Sequence, residues 1–166
     1  VKPSNILLQR TEDGSEDPGN LDLSSGFSLL TPIPKVCDFG LARRLDPDSG
    51  LTRTRDLLGT PAYMAPELVT DAGNASPRSD IYAVGVVLYE LLTGRPPFIG
   101  NTPLDTLLQA RDREPVAPRR LQPSTPLDSQ TICLRCLEKE PQRRYATAGE
   151  LADDLQRFLH GQPVVA

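Results

Sequence analysis

No stretch of the 166 residues approaches the roughly 18 consecutive apolar residues that a bilayer-spanning helix needs. A membrane segment within the chain is therefore not expected. Cysteine is scarce: Cys37, Cys133 and Cys136 are odd in number and set among apolar neighbours. That pattern excludes a disulfide framework and fits buried thiols in a reducing, cytoplasmic compartment. A basic stripe is missing as well. The 18 Lys and Arg are outnumbered by 22 Asp and Glu, and the net charge is −4. All of that surplus falls between Gln9 and Pro34, where Glu12, Asp13, Glu16, Asp17 and Asp22 stand against Arg10 alone. A surface that neutralises phosphate backbones is excluded, and with it a nucleic-acid partner. The single histidine, His160, falls at a helix end as a cap or solvated side chain and is no candidate for a catalytic base. Val1 is preceded by neither an initiator Met nor a signal-like segment, so the start reads as a truncation.

What is present suffices for a core, since 38% of residues are apolar. Ile6-Leu7-Leu8 and Val36-Cys37 read as two short strands of one hairpin. Their connection, 9–34, far exceeds an ordinary hairpin loop and is rich in Gly, Ser, Asp and Pro. It reads as a surface insertion, with an acidic docking or autoregulatory segment as the alternative. From Ser79 to Thr93 the sequence is apolar around nearly the whole helical circumference, which predicts a helix buried on all sides and closed by Gly94. Thr102-Pro103-Leu104-Asp105 predicts a capped helix with Leu104, Leu107 and Leu108 as its stripe. A third helix is expected from Asp128 to Leu137, burying Ile132, Cys133, Cys136 and Leu137, with Glu114 to Pro126 as a linker before it. Thr147-Ala148-Gly149-Glu150 reads as a capping box opening a helix with Leu151, Leu155, Phe158 and Leu159 on one face. The fold class is mainly α with a small β-hairpin.

Asp38-Phe39-Gly40 follows a short strand, a setting in which a carboxylate can grip a magnesium ion bridging nucleotide phosphates. Alone the tripeptide is weak. Upstream, however, stands VKPSNILL, with Lys2 and Asn5 three residues apart, and downstream GTPAYMAPE from Gly59 to Glu67. With these motifs the chain resembles the large, C-terminal lobe of the protein-kinase fold, from the catalytic loop to the last helix, along essentially its whole length. The family's catalytic loop places Val1 just after the catalytic aspartate, which is thus expected to lie outside this sequence.

The resemblance implies a division into a catalytic-loop remnant (1–8), the insertion (9–34), an activation segment (38–67) and a helical subdomain (68–166), all parts of one domain, 1–166. It implies Asn5 and Asp38 as magnesium ligands, Lys2 as a point charge on the transferred phosphoryl group, and Thr60 bracing Lys2. Lys2-Pro3 and Thr60-Pro61 are similar to serine/threonine rather than tyrosine kinases. Thr52 and Thr54 resemble the autophosphorylated pair of bacterial Hanks-type kinases. Glu67 is expected to pair with Arg144, and Asp80 either to hold the catalytic-loop backbone or to cap its helix. The bacterial branch is suggested by DIYAVG, where eukaryotic relatives usually carry Trp.

The implied function is ATP- and magnesium-dependent phosphorylation of Ser or Thr on protein substrates by an intact parent. A pseudokinase or binding module that transfers nothing is the alternative. A second copy is a further candidate partner, for autophosphorylation in trans. The parent is compatible with a membrane anchor outside these residues. No glycine-rich loop, strand lysine or partnering helical glutamate is found, so the 166 residues alone are expected to be inactive.

Cys133-x-x-Cys136 lacks the second pair that a zinc site needs and reads as two core thiols.

Overall fold

A computed structural model describes residues 3–9, 33–36, 61–70 and 74–166. The chain divides into two compact units, Pro3–Ala42 and a second comprising Arg43–Ala166 together with Val1–Lys2.

In the first unit a turn of 3-10 helix, Pro3–Asn5, leads into β1 (Ile6–Gln9). This strand pairs antiparallel with β2 (Ile33–Val36), with Ile6 opposite Val36 and Gln9 opposite Ile33. The ladder takes in Gln9, Ile33 and Pro34, so the connection is shorter at both ends than the 9–34 read from composition. Pro34 lacks an amide donor and is tolerated because a two-stranded ribbon consists only of edges. Cys37, expected in the second strand, lies outside the described residues.

The second unit is helical: α1 (Pro66–Thr70), α2 (Pro77–Thr93), α3 (Pro103–Asp112), α4 (Pro118–Leu121), α5 (Leu127–Cys136) and α6 (Ala148–Leu159). The strut is α2. Proline at its first position needs no amide partner there, and Ser79 Oγ accepts from the Ser76 amide at the entrance. At the exit Gly94 takes φ 80° and donates to Glu90 O at 2.7 Å, a left-handed cap that suits glycine. One side of α2 buries Tyr82, Val86 and Tyr89 with Ala65, Cys133 and Leu137. Another buries Ile81 with Ile132, Cys136, Tyr145 and Leu151. Each Val, Leu or Ile so buried contributes about 1.5–3 kcal/mol of hydrophobic stabilisation.

The helix is not enclosed all round, because Leu91 is 78% exposed. Leu104 likewise faces outward, at 62% exposure, and α3 buries Thr106, Leu107 and Ala110 instead. Thr106 is drawn in by polar ties, accepting from the Gly100 amide at 2.9 Å and donating to Thr102 O at 3.2 Å. Leu159 is also outside, and the inner face of α6 is carried by Leu151, Asp154, Leu155 and Phe158. Thr147 Oγ1 accepts from the Glu150 amide, but the Glu150 carboxylate accepts from Ala146 N, one residue beyond the reciprocal position. The stretch between Glu114 and Pro126 is not a plain linker, since it contains the single turn of α4. Helix α5 starts one residue earlier than the sequence pattern suggested, at Leu127, and buries Ile132, Cys133 and Cys136, with Leu137 as its C-cap.

Candidate functional site

Asn5 closes the 3-10 turn at the entrance to β1, half-buried, and its Oδ1 accepts from Ser4 Oγ at 3.3 Å. Lys2, Asp38, Thr60, Thr52 and Thr54 lie outside the described residues.

In the helical unit the chain after Thr60 forms a 3-10 turn, Pro61–Tyr63, and passes through buried Ala65 into α1. Tyr63 donates to Glu90 Oε2 of α2 at 2.5 Å. Burial, joined by that carboxylate, pushes its phenol up to about 12, so it stays a donor at neutral pH.

Glu67, in the first turn of α1, meets Arg144 from 77 residues further along the chain. The pair is bidentate: Nη1 to Oε1 and Nη2 to Oε2, both at 2.8 Å. Ser79 Oγ donates to the same Oε1 at 2.8 Å. The remaining guanidinium hydrogens reach the carbonyls of Glu138 (2.8 Å), Arg78 (2.9 Å) and Lys139 (3.1 Å). Every donor of Arg144 is thus satisfied, and the flat ion also lies over the Tyr82 ring at 4.9 Å. Its side chain is fully enclosed and that of Glu67 is 12% exposed. Burial raises the Glu67 carboxyl, but Arg144, a backbone amide and Ser79 outweigh it and hold the group below its usual value.

Asp80 lies on the exposed side of the first turn of α2, and the entrance residues Ser76 and Ser79 do the capping. Cys133 and Cys136 are fully enclosed, and burial pushes the thiol of Cys136 up to about 12, which leaves it protonated and inert. His160 is the exposed C-cap of α6, with Nδ1 2.7 Å from Gln156 O.

Three ties were not read from the sequence: Ser79 on Glu67, Tyr63 on Glu90, and Lys139. The Lys139 ammonium donates to Ala110 O at 2.6 Å and sits 4.3 Å from the Phe98 ring centre, pinning the last turn of α3. Their partners stand 12, 27 and 29 residues apart, beyond the reach of a short motif. No described helix is long and apolar enough to cross a membrane.

The family model for the protein kinase domain matches residues 1–155. This chain belongs to the protein kinase family. Within the kinase domain it is similar to serine/threonine-protein kinase PknB of Mycobacterium leprae, at 38% identity over 163 residues, 98% of this chain and 23% of the relative. PknB of Mycobacterium tuberculosis is 37% identical over 164 residues, again 98% of this chain and 23% of the relative. A probable serine/threonine-protein kinase of Streptomyces coelicolor, SCO3848, is 42% identical over 168 residues, covering 100% of this chain and 22% of the relative. The kinase-domain chain therefore spans less than a quarter of the length of these bacterial relatives. Their kinship places it in the bacterial, Hanks-type branch, and the mainly helical lobe with one small hairpin agrees with that membership.

Proposed function

We propose that the protein carrying this kinase domain transfers the γ-phosphoryl group of ATP, with magnesium, to serine or threonine of protein substrates. The observation that carries the reading is the register of the hairpin. Val36 lies opposite Ile6, so the end of β2 that leads on to Asp38 is the end of β1 where Asn5 sits. Asp38 follows Val36 by two positions, with Cys37 alone between them, a span of at most about 7 Å.

The donor chemistry fits magnesium. An amide oxygen from Asn5 and a carboxylate from Asp38 are hard oxygen donors, and Asn5 Oδ1 accepts only a long bond among the described residues. Bound magnesium would neutralise charge on the nucleotide phosphates. Lys2 would steady the transferred phosphoryl group as a point charge, and Thr60 would brace Lys2. Pro61–Tyr63 would line the pocket for the residue after the phosphoacceptor, in a stretch fastened by Tyr63–Glu90 and Glu67–Arg144. Thr52 and Thr54 would act as phosphorylation switches, and phosphopeptide mapping of an active preparation that found both unmodified would remove that role.

The deciding experiment uses the full-length protein with labelled ATP and a protein substrate. Asp38→Asn should lower phosphotransfer by about a hundredfold or more, since a metal ion supplies several kcal/mol of transition-state stabilisation. The isolated 166 residues should transfer nothing. A full-length protein that binds partners yet transfers no phosphate would instead make the lobe a binding module.

A further inference from the structure

Beyond α6 the chain forms neither helix nor strand, yet it is tied down along its length. His160 caps the helix and Gly161 turns into the left-handed region at φ 65°. Gly161 N then donates to Phe158 O (3.1 Å) and Gln162 N to Arg157 O (2.8 Å), the paired bonds of a Schellman reversal. The segment Gln162–Ala166 is thereby sent back along α6. Val164 and Ala166 pack on the cluster of Ile81, Ile132, Cys136, Tyr145 and Leu151, while Val165 points outward at 67% exposure.

The outward residue is gripped by its backbone. Val165 N donates to Asp154 Oδ1 at 2.9 Å, and Val165 O accepts from Arg135 Nη1 of α5 at 3.0 Å. Asp154 is itself enclosed, at 1% exposure, and accepts from Arg157 Nη1 (2.8 Å) and Tyr145 Oη (2.9 Å). Arg135 lies over the Tyr145 ring, 4.4 Å from its centre. Both backbone ties of Val165 therefore end on a side chain that contacts Tyr145, whose chain neighbour Arg144 holds Glu67.

We propose that Gln162–Ala166 is a displaceable strap, seated by backbone capture between α5 and α6, whose seating is coupled through Tyr145 and Arg144 to the Glu67 anchor. A segment with few apolar contacts opens before the rest of a domain. When it leaves, Asp154 loses the Val165 amide and Arg135 loses its carbonyl, so the two groups that fix the Tyr145 side chain are both freed to shift. The strap thus transmits a pull on the chain after α6 to the segment that begins at Pro61. This coupling does not depend on the nucleotide chemistry proposed above.

The test uses the full-length protein as Val165→Pro, which deletes the captured amide, beside Val165→Ala, which trims only an exposed side chain. Strap seating is read from the Val164 methyl resonances, and coupling from amide exchange over 141–146 and 64–70. Val165→Pro should move the Val164 methyls to random-coil positions and speed exchange over both stretches by about tenfold, leaving α2 protected. Val165→Ala should match the unaltered chain. Arg135→Gln, which keeps the Asp154 tie and drops the other, should speed exchange over 141–146 by a smaller factor. Unmoved Val164 methyls in Val165→Pro, or a released strap with unchanged exchange over either 141–146 or 64–70, would overturn the proposal.

Discussion

Arg144 spends every guanidinium hydrogen on oxygen acceptors, which makes it the most demanding single residue in the helical unit. Replacing it with alanine leaves Glu67 with Ser79 as its remaining side-chain donor, so Arg144→Ala should lose about 3–5 kcal/mol in urea unfolding. Arg144→Lys should recover only part of that, because an ammonium cannot copy the planar two-pronged grip. Tyr82 makes the opposite case. Its hydroxyl is enclosed with no hydrogen-bond partner among the described residues, and burial, the largest cause, pushes its phenol well above the ordinary value. Tyr82→Phe should therefore leave stability unchanged or raise it by about 1 kcal/mol, read from the same urea midpoint. The pairing of residues 67 and 144 was legible because two short motifs named both ends. Asp154 was not legible, since an acid on an amphipathic helix reads as solvent-facing until Tyr145, Arg157 and Val165 are brought to it.

At the scale of elements, the crossing of α2 and α5 is set by a missing side chain. A Cβ on Gly85 would come within 2.5 Å of the Cys136 Cβ, and Cys133 Sγ rests 3.7 Å from Gly85 O. Gly85→Ala must push the helices apart, and overpacking of this kind costs about 1–3 kcal/mol. Thermal unfolding of that variant should show a lowered midpoint, whereas Gly149→Ala, with only Thr147 Oγ1 at 3.6 Å, should not. Helix positions came readily from the 3.6-residue period and from Pro and Gly at the ends, as α2 illustrates. The orientation of individual leucines did not. Leu104 and Leu159 satisfied the period but lie at the margin of their stripes, where the neighbouring helix, not the helix's own pattern, decides what is covered.

For the whole molecule, two carboxylates among the described residues contribute an acid-sensitive share of stability. Burial raises both Glu67 and Asp154, yet hydrogen bonds from Arg144 and Ser79, and from Val165, Arg157 and Tyr145, leave each below its unfolded value. A depressed group contributes stability above its unfolded value, and that contribution is lost as pH falls through the folded one. Stability should stay level from neutral pH to about 5 and fall below about 4, near ordinary carboxylate values. Glu67→Gln should flatten that acid limb of a pH series of urea midpoints while lowering stability at neutral pH.

The family, the helical lobe and the hairpin were legible in the chain alone, because motif spacing and apolar periodicity are local properties. That Arg144 is shared among five oxygens, that Asp154 is enclosed, and that Val165 is held through its backbone emerged from the packed fold. Those contacts join separate segments of the chain, several of them outside any helix, and a buried charge is stable only where the fold supplies its partners.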